Sequence, residues 1–180
     1  MTICLAADPN VDPYNFTVDQ AERIANRILA GAGVKLNWHR SLRFCTDGPG
    51  RAVQVDLSGH TPSSELPGAL GYAQFLEDAY VRAFYDRVRG FGEPELESYL
   101  LGHVLAHEIT HVLERTFAHA ATGVMKARWD SADYRSMMRQ PLRFTEIDLE
   151  LIARGLERRP NFRLARVHVP PVVIAALEAE

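Results

Sequence analysis

Residues 107–111 read His-Glu-Ile-Thr-His. Histidines four apart on an α-helix lie about 6 Å apart along the axis and about 40° around it, so both imidazoles can aim at one point. Zinc accepts imidazole nitrogen at about 2.0–2.1 Å, and two such rings, His107 and His111, can grip a single ion. Glu108 leans to the side of that line. It is placed to take a proton from water activated by the ion rather than to ligate. Val104, Leu105, Ala106, Ile109, Val112 and Leu113 surround the motif without charge, which predicts a buried helix. Two histidines and a glutamate buried without partners would cost several kcal/mol, and a metal supplies the partner. The competing account is an amphipathic helix whose His and Glu merely reach solvent or one another, with no metal.

Catalytic zinc usually has three protein ligands and a water. His119 is the nearest third candidate, but a continuous helix would carry it about 18 Å from His107. The chain is therefore expected to break after His111 and fold back, with Thr122-Gly123 turning and Val124-Met125 an apolar pair beneath the site. His103 lies on the same face, but three histidines over two turns span too far for one ion. It is expected near the ligands or at the surface. Glu146 or Glu150 could supply a ligand instead, as in gluzincin peptidases. Asp130 and Asp133 could orient a ligating His or be solvated loop carboxylates. Tyr134 could stabilise an oxyanion or simply pack, and Trp129 could wall a pocket or fill the lower core.

The set His107-Glu108-x-x-His111, a third His shortly after, and a turn carrying Met125 resembles the metzincin clan of zinc peptidases. The resemblance covers roughly residues 2–158. The segment His107 to Trp129, with His119-x-x-x-Gly123-Val124-Met125 inside it, is similar to small bacterial metzincin-like proteins. The resemblance implies that His107, His111 and His119 bind Zn2+, that Glu108 acts as general base, and that Met125 sits in a tight turn under the metal. It also implies that an edge strand, here Ala69, Leu70, Gly71, Tyr72 and Ala73, pairs with an extended peptide through backbone groups; the alternative is an ordinary edge strand. The clan's spacing places a glycine where this chain has Glu114 and a third His where it has Phe117; His119 comes two residues late. The bend is then expected at Arg115–Phe117 in a strained form, unless the fold differs locally.

The elements that must position these groups can be read from patterning. Residues 2–7 predict a strand, and Thr17 followed by Gln20 predicts a helix start. Val18, Ala21, Ile24, Ala25, Ile28 and Leu29 keep a helical period to Gly31 and Gly33. Val34, Leu36 and Trp38 alternate with polar residues, as do Val53, Val55 and Leu57, and each set predicts a half-buried strand. Residues 69–75 predict a further short strand, and 79–85 read as strand or helix, with strand favoured because Gly90 and Gly92 follow soon after. A helix from Pro94 to about Glu114 and another from Thr145 to Arg158 follow. The fold class expected is α/β (α+β): one twisted mixed sheet with a backing helix, an active-site helix and a C-terminal helix. A single domain is expected over 1–158, with 159–180 an appended tail.

The 180 residues carry a net charge of -3, which argues against a nucleic-acid surface. No apolar run reaches the roughly 18 residues of a membrane span. The partner expected is a peptide or protein substrate, and the chain is expected to be a monomer. No signal peptide is visible, so the chain as given reads as cytoplasmic, or as exported if its start lies upstream. Cys4 and Cys45 read as two buried thiols, or as a pair if the protein is exported. Trp38 is expected in the core, and His39, His60 and His168 at the surface. The function expected is zinc-dependent endopeptidase activity; the alternative is a non-catalytic zinc- or peptide-binding domain.

Overall fold

The apolar stripe of the first helical segment meets a sheet whose buried strands read as short branched runs. The structure is a computed structural model that describes residues 1–40, 52–76 and 79–158. Its strands are β1 (Thr2–Ala7), β2 (Asn37–His39), β3 (Ala52–Ser58), β4 (Gly71–Gln74) and β5 (Tyr80–Phe84). They form one sheet in the order β2-β1-β3-β5-β4. The first four in that order are parallel, and β4 runs antiparallel to β5 at the edge. Helices α1 (Phe16–Ala30), α2 (Tyr85–Arg89), α3 (Pro94–Glu114), α4 (Ser131–Met137) and α5 (Glu146–Glu157) complete the described residues. None of these helices is long and apolar enough to cross a membrane.

Ile3 and Leu5 of β1, Val53, Val55 and Leu57 of β3, and Val81 and Ala83 of β5 enter one core with α1 and α3. Helix α3 packs against α1, α2, α4, α5, β4 and β5. It is therefore apolar nearly all round, and residues 100–113 are all buried. A helix enclosed in this way holds its side chains in fixed positions, a property that a site needs more than a loop could supply.

Several local expectations are corrected. Helix α1 is capped by Asn15, whose side chain accepts from Val18 N at 2.9 Å, so it starts before the Thr17 signature. Asn in extended backbone is as good an N-cap as Thr or better. The strand expected from Val34 pairs only from Asn37, while Val34 and Leu36 are buried in the core before it. The 79–85 strand ends at Phe84 and passes directly into α2. Helix α4 has no counterpart in the patterning. Trp38 is half-buried at the margin of the core. Cys4 is fully buried, and no described cysteine is free. Cys45, His168 and the tail 159–180 lie outside the described residues.

Candidate metal centre

His107, Glu108 and His111 stand in the enclosed part of α3, and each is 3% exposed or less. The helix ends at Arg115, which takes the left-handed conformation (φ 55°, ψ 40°) while its N–H donates to His111 O. Arg115 is the sole non-glycine residue with positive φ among the described residues. The bend thus falls inside the interval where the sequence calls for it, on a residue that carries a Cβ and strains there.

Past the bend the chain returns along α3. Thr116 O accepts from His111 Nδ1 at 2.8 Å, and Val124 O accepts from His107 Nδ1 at 2.8 Å. His119 lies between these two acceptors in sequence. Its ring is 5.2 Å from that of His107 and 4.9 Å from that of His111, centroid to centroid. One nitrogen from each of His107, His111 and His119 falls within 4.8 Å of the others, a group that could hold a metal ion.

The chemistry of this donor set fits a cation. Carbonyl partners on Nδ1 place the ring proton of His107 and His111 there, so both Nε2 atoms present lone pairs. Those two Nε2 atoms are 3.0 Å apart. Protonating one ring would turn the contact into a hydrogen bond. Burial works against that: it holds His107 well below the usual histidine range and lowers His111 to about 4, with neighbouring histidines adding to the shift. Two 2.05 Å bonds at a tetrahedral angle subtend about 3.3 Å, close to the spacing present. His119 Nε2 is buried without a partner, and burial lowers its pKa as well.

Glu108 is enclosed, and neither carboxylate oxygen has a hydrogen-bond partner. Burial raises its pKa well above the usual carboxylate value. A buried carboxylate with both oxygens free, next in sequence to His107, can exchange protons with a molecule that reaches it.

The turn after His119 is held from several sides. Ala120 N donates to Met125 O at 2.8 Å, and Gly123 adopts φ +79°. A Cβ at Gly123 would fall 2.1 Å from Arg143 O, the acceptor for Val124 N–H. Met125 is fully buried in the core. Trp129 is buried; its Nε1 donates to Gly123 O, and its ring stands edge-on to His107.

The other candidates fall elsewhere. His103 is completely buried rather than at the surface. Its Nδ1 donates to Tyr99 O at 2.7 Å and its Nε2 accepts from Leu142 N at 3.1 Å, which leaves no lone pair for a metal. Glu146 and Glu150 are exposed on α5, and neither joins the three-histidine group. Asp130 and Asp133 form the capping box of α4, and both bind Lys126 Nζ. Tyr134 packs edge-on to Phe91, and burial next to Asp133 and Asp130 pushes its hydroxyl up to about 12. His60 is exposed and His39 half-buried. Of the segment 69–73, Gly71, Tyr72 and Ala73 lie in β4, while Ala69 and Leu70 lead into it.

Residue types did not flag every contributor. The carbonyls of Thr116 and Val124 orient the rings, yet a backbone group leaves no signature in side-chain identity. Phe117 packs tilted against Phe75, centroids 4.4 Å apart, and so joins the segment leading to His119 to the end of β4. An aromatic at each position was the available signal.

No family model matches the sequence, and no curated protein matches it. Among solved structures the chain is similar to archaemetzincin from Methanopyrus kandleri. The TM-score is 0.56 at 20% identity, over 88% of this chain and 96% of that one. At such identity the likeness is one of fold. The chain is thus a mixed α/β protein of archaemetzincin-like fold that brings three histidines together where they could hold a metal ion.

Proposed function

We propose that this protein is a zinc-dependent metallopeptidase in which His107, His111 and His119 hold the ion and Glu108 is the general base. When bound, zinc supplies a Lewis acid that acidifies water and polarises the scissile carbonyl. Glu108 takes a proton from the attacking water and passes it to the leaving amine. Thr116 O and Val124 O hold the ligating rings with their Nε2 lone pairs inward. Met125 fills the core within the turn that presents Val124 O. Strand β4, paired on one side with β5 in the described sheet, offers its free edge to an extended peptide.

The observation that carries this reading is the pair of Nε2 lone pairs 3.0 Å apart, on a helix whose Glu108 carboxylate, next in sequence to His107, has no partner. That arrangement is self-repelling without a cation and chemically useful with one. The metzincin resemblance of the motif and the archaemetzincin-like fold support it independently.

The test is elemental analysis of metal-replete protein together with cleavage of a mixed peptide library. About one zinc per chain is expected, with cleavage abolished in Glu108→Ala while zinc is retained. Protein without zinc would overturn the metal assignment. Zinc without cleavage, or cleavage that survives Glu108→Ala, would overturn the catalytic one.

A further inference from the structure

We propose that Gly71 is a positioning residue for Glu108: the missing side chain at this one position of β4 leaves the space that the carboxylate occupies. The inference rests on the peptidase reading only for its kinetic consequence; the packing argument is independent of it.

Along β4 the side chains alternate. Ala73 joins the main core, whereas Tyr72 packs with Ala69, Tyr80 and Phe84 in a separate cluster. Gly71 shares the face of Ala73, toward α3. A Cβ built on it would stand 3.2 Å from both Cγ and Oε1 of Glu108, and 2.8 Å from Arg82 O. The second contact decides which group must yield. Arg82 O belongs to the backbone of β5, hydrogen-bonded into the sheet, so β4 cannot easily retreat across it. Of the two neighbours only the glutamate can give; the Arg82 O contact stays whatever Glu108 does.

Glu108 is also unusually open to such a push. Neither oxygen is held by a hydrogen bond, so the position of the carboxylate is set by the walls of its enclosure. On the strand side that wall is the backbone of Gly71. A methyl group there moves the carboxylate toward the histidines or rotates it away from them. General-base catalysis requires reacting atoms within hydrogen-bond reach; a misplacement of about 1 Å can lower the rate about 100-fold, so the few tenths of an ångström needed to relieve these 3.2 Å contacts correspond to about 2–6-fold. The three atoms nearest a Cβ at position 71 belong to Arg82 and Glu108 and none to a histidine, so metal binding should change less than the rate.

The experiment is a double-mutant comparison on metal-replete, full-length protein. Gly71→Ala is expected to lower kcat about 2–6-fold, with KM and zinc affinity (by chelator competition) changed by less than that. Glu108→Asp shortens the side chain by one methylene, and in that background Gly71→Ala should reduce the residual rate no further. A second arm needs no activity. Glu108→Ala vacates the space, so the shift in denaturation midpoint caused by Gly71→Ala should be measurably smaller in that background than in wild type, with the Arg82 O contact remaining in both. If Gly71→Ala folds only in the Glu108→Ala background, that outcome also supports the proposal. Equal midpoint shifts in both backgrounds, or failure to fold in both, would place the whole effect at Arg82 O and overturn it. Loss of zinc together with activity would overturn it as well. A wild-type protein that cleaves nothing would refute the peptidase reading while the midpoint arm still decides the packing.

Discussion

Replacing Gly123 by Ala should damage both stability and metal binding, and the two losses can be separated. Gly123 has φ +79°, and an L-residue held there is strained by about 1–2 kcal/mol. Its new Cβ would sit 2.1 Å from Arg143 O, whereas close carbon–oxygen contacts run about 3.3–3.6 Å. The chain must therefore retreat by roughly 1.2 Å. The hydrogen bond from Val124 N to Arg143 O, now 3.1 Å, does not survive such a move. Leaving these groups unpaired near a buried residue adds about 1–3 kcal/mol. The total is about 2–5 kcal/mol, a large fraction of ordinary domain stability. The Val124 carbonyl moves too and releases His107 Nδ1, and losing such a ring-orienting partner typically weakens metal binding about 10–100-fold. Gly92 is the matched control: its φ is +71°, and nothing lies within 4 Å of a Cβ there. Gly92→Ala should show the backbone strain alone, about 1–2 kcal/mol, with zinc affinity unchanged. Denaturant titration of the metal-free proteins reads the first quantity, and competition with a chelator reads the second. If Gly123→Ala matches Gly92→Ala in both, the link from turn to carbonyl to His107 is wrong.

Two further outcomes are expected. His119→Ala should weaken zinc strongly and Glu146→Ala should leave it nearly unchanged, as read by competing chelator; the reverse result would make the site gluzincin-like. The last concerns acid stability. Burial lowers His103 from 6.5 to about 4, so between those values the unfolded chain binds a proton that the folded chain refuses. Stability from His103 is thus complete above pH 6.5 and declines as pH falls toward 4, by about 3 kcal/mol in all. Subtracting the pH profile of His103→Gln, which cannot titrate, should isolate that decline; parallel profiles would refute it.

The HExxH pair was legible because ligand geometry and helix geometry share a period: residues four apart meet on one face, and sequence displays that directly. The long helices and branched strands were legible for the same reason. Helix α4 was not, since seven residues span about two turns and leave no period to detect; its only signal was Asp130 with Asp133, a capping pair that also reads as loop carboxylates. His103 shows the opposite failure. It shares the helical spacing of the candidate ligands, but both nitrogens are taken by backbone groups, one of them 39 residues away. Nothing local announces a tertiary partner of that kind. Strand β4 was visible as a strand, while its place at the sheet edge and its approach to Glu108 arise only when β5 and α3 pack.

The left-handed turn at Arg115 has a consequence at the level of the gene. Every arginine codon is one base from a glycine codon, so the residue best suited to this bend is a single mutation away. Glycine would relieve roughly 1 kcal/mol of strain, yet its extra freedom in the unfolded chain returns about 0.5–1 kcal/mol. On the backbone alone the exchange is close to neutral, and selection has little slope to follow in either direction. A bend of this kind can therefore drift away from glycine without losing its shape. The clan's glycine falls at Glu114, one residue before this bend, so a search that demands glycine there would pass over a chain that turns instead at Arg115.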